Sequence, residues 1–123
     1  MKRILMLCLC AMMLCSCGTE EKQEEKVTSQ NITCAQKEEL MNEGAVLIDV
    51  RSASEYAESH LDNSINLTVD TIGVNIEKLV SDKNTKIIVY CRSGNRSATA
   101  ANTLINLGYT NVYDLGAMSN CSK

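Results

Sequence analysis

The chain has 123 residues, of which 45% are hydrophobic and 22% are charged, a composition typical of one globular domain with a short additional segment. Aromatic residues make up 3% of the chain, so the core is expected to be aliphatic. The formal net charge is −3, and this acidic, aromatic-poor composition excludes a basic surface for binding nucleic acid. An anionic ligand must therefore be held by a local site.

The first residues have the pattern of an export signal. Two basic residues precede an apolar stretch at residues 4–14, which is too short to cross a bilayer. The next residues, Leu-Cys-Ser-Cys up to Cys17, resemble the bacterial lipoprotein signal, which implies a lipid anchor on Cys17. An ordinary cleaved signal peptide is the alternative. The lipoprotein interpretation predicts an extracytoplasmic, membrane-anchored protein, in the periplasm or on the cell surface.

Charged and small polar residues dominate residues 19–31. Because this segment has almost nothing to bury, it is expected to be a solvated tether, with a short frayed helix as the alternative. We therefore predict a signal peptide over residues 1–16, a lipidated cysteine with its tether over residues 17–31, and one domain over residues 32–123.

Strand and helix signals alternate through this domain, without an internal repeat. Residues 32–34 predict a short strand, and residues 36–41 predict a helix that Gly44 ends. The continuous apolar run at residues 45–50 predicts a strand that is buried on both faces. The other predicted strands cover residues 65–67, 86–90 and 111–113.

Three further helices are predicted between these strands. They are a short helix capped by Ser52 or Ser54, a helix over residues 74–80, and a helix ended by Gly108 with Ala98, Ala101, Leu104 and Ile105 on its apolar face. Strands that alternate with helices predict an α/β fold with a central, mostly parallel sheet and helices on both faces. Sites in such sheets lie beyond the carboxyl ends of the strands.

Cys91 lies where the apolar run at residues 86–90 ends and a helix is about to begin. The N–H groups of such a loop, and the positive end of the helix, favour thiolate over thiol. Arg92 and Arg96 strengthen the same positive field. The placement predicts a nucleophilic thiol.

The cysteine spacing argues against a disulfide scaffold. Four of the seven cysteines occur up to residue 17, which leaves Cys34, Cys91 and Cys121 in the predicted domain. Three widely spaced cysteines make no disulfide framework, and with a single histidine they make no recognisable zinc spacing. We predict no metal site and no cofactor.

Two sequence blocks, with shorter matches around them, carry a family resemblance. The blocks are Asp-Val-Arg at residues 49–51 and Cys-Arg-Ser-Gly-Asn-Arg-Ser at residues 91–97, and the shorter matches are at residues 55–56, 60–61, 64–67 and 111–116. Together they resemble the rhodanese-like domain in its single-domain sulfurtransferase form, over about residues 32–118. The resemblance implies the small rhodanese-like α/β fold, with a central five-stranded sheet.

The resemblance also implies a reaction, in which Cys91 attacks a sulfane sulfur, becomes a persulfide and passes the outer sulfur to an acceptor. Loop N–H groups can surround an anionic persulfide, and Gly94 allows the tight ring that this requires. Arg92 and Arg96 suit the oxyanion end of a donor such as thiosulfate. The substrate-binding residues predicted on this basis are Arg92, Ser93, Gly94, Asn95, Arg96 and Ser97.

The remaining matched residues have expected roles that are mainly architectural. For Asp49 and Arg51, a structural ion pair near the site is favoured over a catalytic role. Glu55 is expected to pair or cap locally, and Ser97 to cap the helix that follows the loop. The single histidine, His60, is expected to be packed and not to act as a base, because a preformed thiolate needs none.

The chain also departs from the family pattern. It has no proline, and Asn63 is expected to take a left-handed turn conformation where the family usually has a Gly-His-Ile-Pro-Gly run. Cys121 stands about where the family tends to carry a tryptophan, and the usual final helix is missing, which predicts a more open wall beside the site. Cys121 is expected to be an exposed thiol, with a resolving partner for Cys91 as the alternative, and the pairing of Cys34 is left open.

Three functions follow, in order of preference. The first is a sulfurtransferase that moves sulfane sulfur from thiosulfate, a polysulfide or a persulfide to cyanide or a thiol, the thiol of a protein acceptor included. The second is a non-catalytic sulfur carrier or binding module. The third is a phosphatase or arsenate reductase on the same fold. The loop of such enzymes is similar, but it has five residues between the cysteine and the arginine, whereas four separate Cys91 from Arg96.

Overall fold

The computed structural model describes residues 26–121. The predicted signal peptide, Cys17 and most of the predicted tether lie outside these residues. In the described part of the chain the strands are β1 (Gln30–Asn31), β2 (Val46–Asp49), β3 (Ser64–Asn66), β4 (Lys86–Cys91) and β5 (Asn111–Ala117). The helices are α1 (Cys34–Asn42), α2 (Ala53–Glu58), α3 (Ile72–Leu79) and α4 (Asn95–Asn106), and a 3-10 helix (Met118–Cys121) follows β5.

The five strands form one parallel sheet in the order β1-β5-β4-β2-β3. The predicted α/β architecture is confirmed. Since every strand runs in the same direction, the residues that follow β2, β4 and β5 meet at one edge of the sheet, which we call the carboxyl edge. None of the helices within residues 26–121 has the length and hydropathy needed to span a bilayer.

Successive residues of the central strand β4 point to opposite faces of the sheet, and each face has its own core. Ile87, Val89 and Cys91 pack on one side, where α3 and α4 contribute their buried aliphatic residues. Ile88 and Tyr90 pack on the other side with residues of α1 and with Leu115. Both faces of the sheet are therefore covered, as the apolar runs predict.

The start of the domain differs from the prediction. The strand expected at residues 32–34 is β1, two residues earlier, because Thr33 caps α1 and its side chain accepts a hydrogen bond from the Gln36 N–H. Cys34 is consequently the first residue of a helix. Since β1 pairs with β5, the sheet also begins before residue 32, the predicted boundary of the domain.

The local signals for the other elements hold with small shifts. Ser52 is the N-cap of α2 and forms a capping box with Glu55. Asn63 has a φ of 67°, the left-handed conformation expected of it. The prediction that Ala98 lies on the apolar face of α4 is wrong, because Ala98 is exposed. The buried face of α4 is formed by Ser97, Ala100, Ala101 and Leu104.

A disulfide joins Cys34, at the start of α1, to Cys121, in the 3-10 helix. The two residues are 87 positions apart in sequence, and their Cα atoms are 5.2 Å apart, within the normal range for a disulfide. The expectation of an exposed Cys121 thiol, or of a resolving partner for Cys91, is therefore wrong. The parallel fold brings the first helix and the end of the described chain together, which sequence spacing does not reveal.

Candidate active site

Cys91 is the last residue of β4, and α4 begins four residues later. Its sulfur lies at the carboxyl edge of the sheet and at the positive end of a twelve-residue helix. Cys91 is 0% exposed, and within residues 26–121 it is the one cysteine outside a disulfide. This is the position predicted for a nucleophilic thiol.

Backbone N–H groups of the loop point at the sulfur. The Gly94 N–H donates to Cys91 Sγ over 2.9 Å, and the Ser97 N–H donates over 3.3 Å. Gly94, the N-cap of α4, has a φ of 102°, a conformation that a residue with a side chain rarely adopts. The loop thus forms part of the predicted ring of donors around the sulfur.

These donors decide the ionisation of the thiol. Burial raises the pKa of Cys91, but hydrogen bonds from Ser97, and from the N–H groups of Gly94 and Ser93, outweigh it and leave the pKa below its ordinary value. Arg96 adds a favourable charge interaction with the same sulfur. The site therefore stabilises the thiolate, the form that attacks sulfur.

Ser97 was expected to cap α4, but the N-cap of this helix is Gly94. Ser97 is the third residue of the helix, and its hydroxyl donates to the Gly94 carbonyl oxygen over 3.0 Å. Its side chain is fully buried beside the sulfur. Ser97 therefore stabilises the loop through a hydrogen bond from the first turn of α4 to Gly94.

The two arginines of the loop have different environments. Arg96 forms a bidentate ion pair with Glu55, with nitrogen to oxygen distances of 2.7 and 3.1 Å. The hydrogen bonds from Arg96, together with one from the Ser52 N–H, hold the pKa of Glu55 well below its usual value. Within residues 26–121 no ion pair engages Arg92, which is exposed. Arg92 is thus the freer of the two for a substrate anion, whereas Arg96 fixes the loop to α2.

Asp49 and Arg51 form the buried ion pair that was expected. Arg51 Nη2 lies 2.6 Å from Asp49 Oδ2, and the Arg51 N–H donates to Asp49 Oδ1 over 2.9 Å. The same Nη2 donates to the Ser59 carbonyl oxygen. Asn66 donates to the carbonyl oxygens of both Asp49 and Arg51. The pair thereby holds the turn after β2 against the neighbouring loop and strand.

Tyr90 also belongs to this network, a role that the sequence patterns above do not predict. Its hydroxyl donates to Asp49 Oδ2 over 2.8 Å and accepts from the Leu61 N–H over 3.0 Å. Burial raises the pKa of Tyr90 to about 12, so the hydroxyl stays protonated. A tyrosine near the end of a buried strand is a usable signal, because its hydroxyl needs a polar partner inside the protein. The network immediately precedes Cys91 in β4.

Among the other predicted residues, His60 and the Asn95 side chain make no hydrogen bond to the sulfur. His60 stacks on Tyr56, with ring centroids 3.8 Å apart, and its Nδ1 is 2.8 Å from the Tyr56 carbonyl oxygen. A packed side chain was expected at this position, but His60 is exposed and, in the part of the chain that the structure describes, has only this ring contact and this polar contact to Tyr56. Asn95 is the first residue of α4 and is also exposed, and Ser93 contributes through its backbone N–H. Within residues 26–121, no three His, Cys, Asp or Glu side chains form a group that could hold a metal ion.

A cleft of about 270 Å³ opens at the carboxyl edge. Residues that follow β2, β4 and β5 form its walls, which brings it beside the Cys91 loop. The lining residues are Arg51, Glu55, Glu58, Ser59, Arg92, Met118 and Ser119. The cleft is polar, with Arg51 and Arg92 as cations and Glu55 and Glu58 as anions among its lining residues.

The model of one protein family, described as the Rhodanese-like domain, matches residues 33–120. The chain belongs to the rhodanese-like family. The match covers α1 through the 3-10 helix, so this rhodanese-like domain includes every part of the site. The family predicted from the two sequence blocks is confirmed.

Curated relatives and solved structures agree with this assignment. The rhodanese-like domain is 35% identical over 71 residues to thiosulfate sulfurtransferase PspE of Escherichia coli, a match covering 58% of this chain and 68% of PspE. It is 36% identical over 80 residues to thiosulfate sulfurtransferase GlpE of Pseudomonas savastanoi, covering 65% and 74%. A solved E. coli structure titled as a rhodanese with anions shares 32% identity, with a TM-score of 0.61, over 63% of this chain and 92% of that one. At the level of family, the predicted rhodanese-type sulfurtransferase is confirmed.

A serine-to-alanine change at residue 97 of the rhodanese-like domain tests the thiolate. Ser97→Ala removes a hydroxyl that lowers the pKa of Cys91 and that also holds the loop through the Gly94 carbonyl oxygen, so the pKa of Cys91 should rise. The rate of alkylation by iodoacetamide, followed against pH, should reach half its maximum at a higher pH than in the wild type. Thr99→Ala, which removes an exposed hydroxyl from the same helix, should leave this pH unchanged. Coincident profiles for all three proteins would contradict a role for Ser97.

Proposed function

We propose that the protein is a sulfurtransferase that carries sulfane sulfur on Cys91, taking it from thiosulfate, a polysulfide or a persulfide and giving it to cyanide or a thiol. The observation that carries this proposal is the hydrogen-bonded sulfur of Cys91, which accepts from Gly94 and Ser97 at the start of α4. The family membership and the two thiosulfate sulfurtransferase relatives support it.

The proposed reaction has two displacements at sulfur. With thiosulfate, the Cys91 thiolate attacks the outer sulfur, the sulfur–sulfur bond of thiosulfate breaks, and sulfite leaves with the electron pair. The product on the enzyme is an anionic persulfide, whose charge the loop N–H groups stabilise. An acceptor thiolate or cyanide then attacks the outer sulfur, and the Cys91 thiolate leaves. No general base is required in either step.

The loop geometry favours this chemistry over phosphoryl transfer. In a cysteine phosphatase, the arginine of the loop must face the phosphoryl oxygens. Here Arg96 gives both of its terminal nitrogens to Glu55. The loop also has four residues between Cys91 and Arg96, where such phosphatases have five, so it leaves less room for a tetrahedral phosphoryl group. Both features favour transfer of sulfur.

We further propose that the protein works outside the cytoplasm, attached to a membrane through lipid on Cys17. The support is the sequence pattern of residues 1–17, in which two basic residues and an apolar stretch precede the cysteine. Labelling of growing bacteria with an alkyne fatty acid should mark the full-length chain and should not mark a Cys17→Ala variant. Equal labelling of the two would contradict the anchor.

Intact mass spectrometry tests the sulfurtransferase proposal. Purified protein treated with thiosulfate should gain the mass of one sulfur atom, and subsequent cyanide should remove it with formation of thiocyanate. The Cys91→Ser variant should gain no sulfur under the same conditions. Absence of a sulfur adduct on the wild type, with thiosulfate and with a polysulfide, would refute the proposal. A stable sulfur adduct combined with a negligible steady-state rate of transfer would instead indicate a sulfur carrier.

A further inference from the structure

The four residues after β5, Met118–Cys121, form one wall of the cleft at the carboxyl edge, and we call them the wall segment. Cys91 pairs with Ala117 in the sheet, so the wall segment begins at the next residue beside the reactive sulfur. Met118 and Ser119 face the cleft that Arg92 also lines. The end of the domain is therefore part of the approach to the site.

A side-chain hydrogen bond and a disulfide help to hold this wall in place. The Asn120 side chain donates to the Leu115 carbonyl oxygen over 2.9 Å, which folds the segment back on β5. The disulfide then ties Cys121 to Cys34. Helix α1 is itself fixed, because Thr33 caps it and its apolar residues pack against the sheet. The disulfide thus attaches the wall segment to a rigid element.

A bulky acceptor can reach the Cys91 sulfur only if the wall segment moves, whereas a small acceptor can pass it. Cys91 is 0% exposed, so a molecule that attacks the outer sulfur of its persulfide must enter through the rim of the loop. A Cβ atom added at Gly94 would lie 4.0 Å from the Gly116 Cα, so the loop and the end of β5 are in close contact. A wall segment pinned in this position restricts the size of the acceptor.

We propose that the wall segment selects the sulfur acceptor by size, and that the Cys34–Cys121 disulfide holds it in the selecting position. This proposal rests on the proposed sulfur transfer and specifies the acceptor side of it. The enzyme with its disulfide formed favours small acceptors over bulky thiols. A free wall segment, or one with a shorter side chain at Met118, admits bulky thiols more readily.

The first test compares two acceptors at a fixed thiosulfate concentration. For the wild type, kcat/KM is measured with cyanide and with glutathione, after peptide mapping without reductant has identified the Cys34–Cys121 linkage. In the Cys34→Ser/Cys121→Ser variant, the glutathione-to-cyanide ratio of kcat/KM should rise by about five-fold or more. A ratio within about two-fold of the wild type, or a fall, would overturn the proposal. Absence of the linkage in the wild-type protein would overturn it as well.

The second test leaves the disulfide intact, so it stands even where the serine variant folds poorly. Met118→Ala should raise the glutathione-to-cyanide ratio, and Met118→Trp should lower it. Val74→Ala, a control at a side chain that is 72% exposed on α3, should leave the ratio unchanged. Changes in the same direction for both Met118 variants would overturn the proposal.

Failure of the proposed function gives a different result from failure of this inference. A protein that forms no persulfide with thiosulfate fails in the mass measurement, before any acceptor is added. A protein that forms the persulfide and transfers it at an unchanged acceptor ratio in every variant keeps its function. In that case only the role of the wall segment is refuted.

Discussion

Replacing Cys91 by serine is expected to lower kcat/KM for sulfur transfer from thiosulfate to cyanide by at least about 10⁴-fold. The loop N–H groups that favour a thiolate cannot ionise an alcohol, whose oxygen is also a poor nucleophile toward sulfur. The measurement is thiocyanate formation at several thiosulfate concentrations.

The control for this variant must show that the fold survives. Cys91 is fully buried and serine is close to it in size, so the circular dichroism spectrum and the melting temperature of Cys91→Ser should stay near those of the wild type. A folded variant that keeps more than about a tenth of the wild-type rate would show that another group carries the sulfur. Aryl phosphate hydrolysis that depends on Cys91 would instead point to phosphatase chemistry.

Replacing Asp49 by asparagine is expected to produce the largest loss of stability among single polar substitutions in the domain. The side chain of Asp49 is fully buried and receives hydrogen bonds from Arg51 and from Tyr90. The variant leaves the Arg51 guanidinium buried without its counter-charge, which costs about 3–5 kcal/mol and lowers Tm by more than about 10 °C. Urea unfolding and thermal melting measure both quantities.

Two further variants separate the buried pair from surface charge. Glu77→Gln breaks the exposed ion pair with Lys83 and should change Tm little. Asp49→Asn/Arg51→Met removes both charges. It should lose clearly less stability than its two single variants lose together, because no charge is left unpaired. An Asp49→Asn protein with the same Tm as the Glu77→Gln variant would show that the buried pair contributes nothing to folding.

The sequence predicts the elements with strong local signals. The apolar run at residues 45–50 becomes β2, a strand covered on both faces, and the glycine and helix start after Cys91 create the loop that surrounds the sulfur. The Asp-Val-Arg block predicts the buried ion pair. In each of these cases, the information lies within a few neighbouring residues, where periodicity and capping act.

Contacts between distant residues could not be predicted in the same way. Glu55 and Arg96 are 41 positions apart and meet because β2 and β4 are neighbours in the sheet. Cys34 and Cys121 are 87 positions apart and meet because β1 and β5 pair at the sheet edge. Strand order decides both contacts, and composition and spacing do not encode it. The strand misplaced at residues 32–34 shows a local failure, where the cap at Thr33 outweighs β propensity.

The direction of β1 determines on which side of the sheet the tether of an anchored protein would join the domain. Strand β1 runs parallel to β5 and Gln30 pairs with Tyr113, so the chain that leads into β1 comes from the amino-edge side of the sheet, whereas Cys91 lies at the carboxyl edge. A lipid on Cys17, as we propose, would pull on the domain from the end remote from the sulfur. The attachment would then leave the reactive loop, at the opposite edge, open to donors and acceptors that diffuse in the aqueous phase.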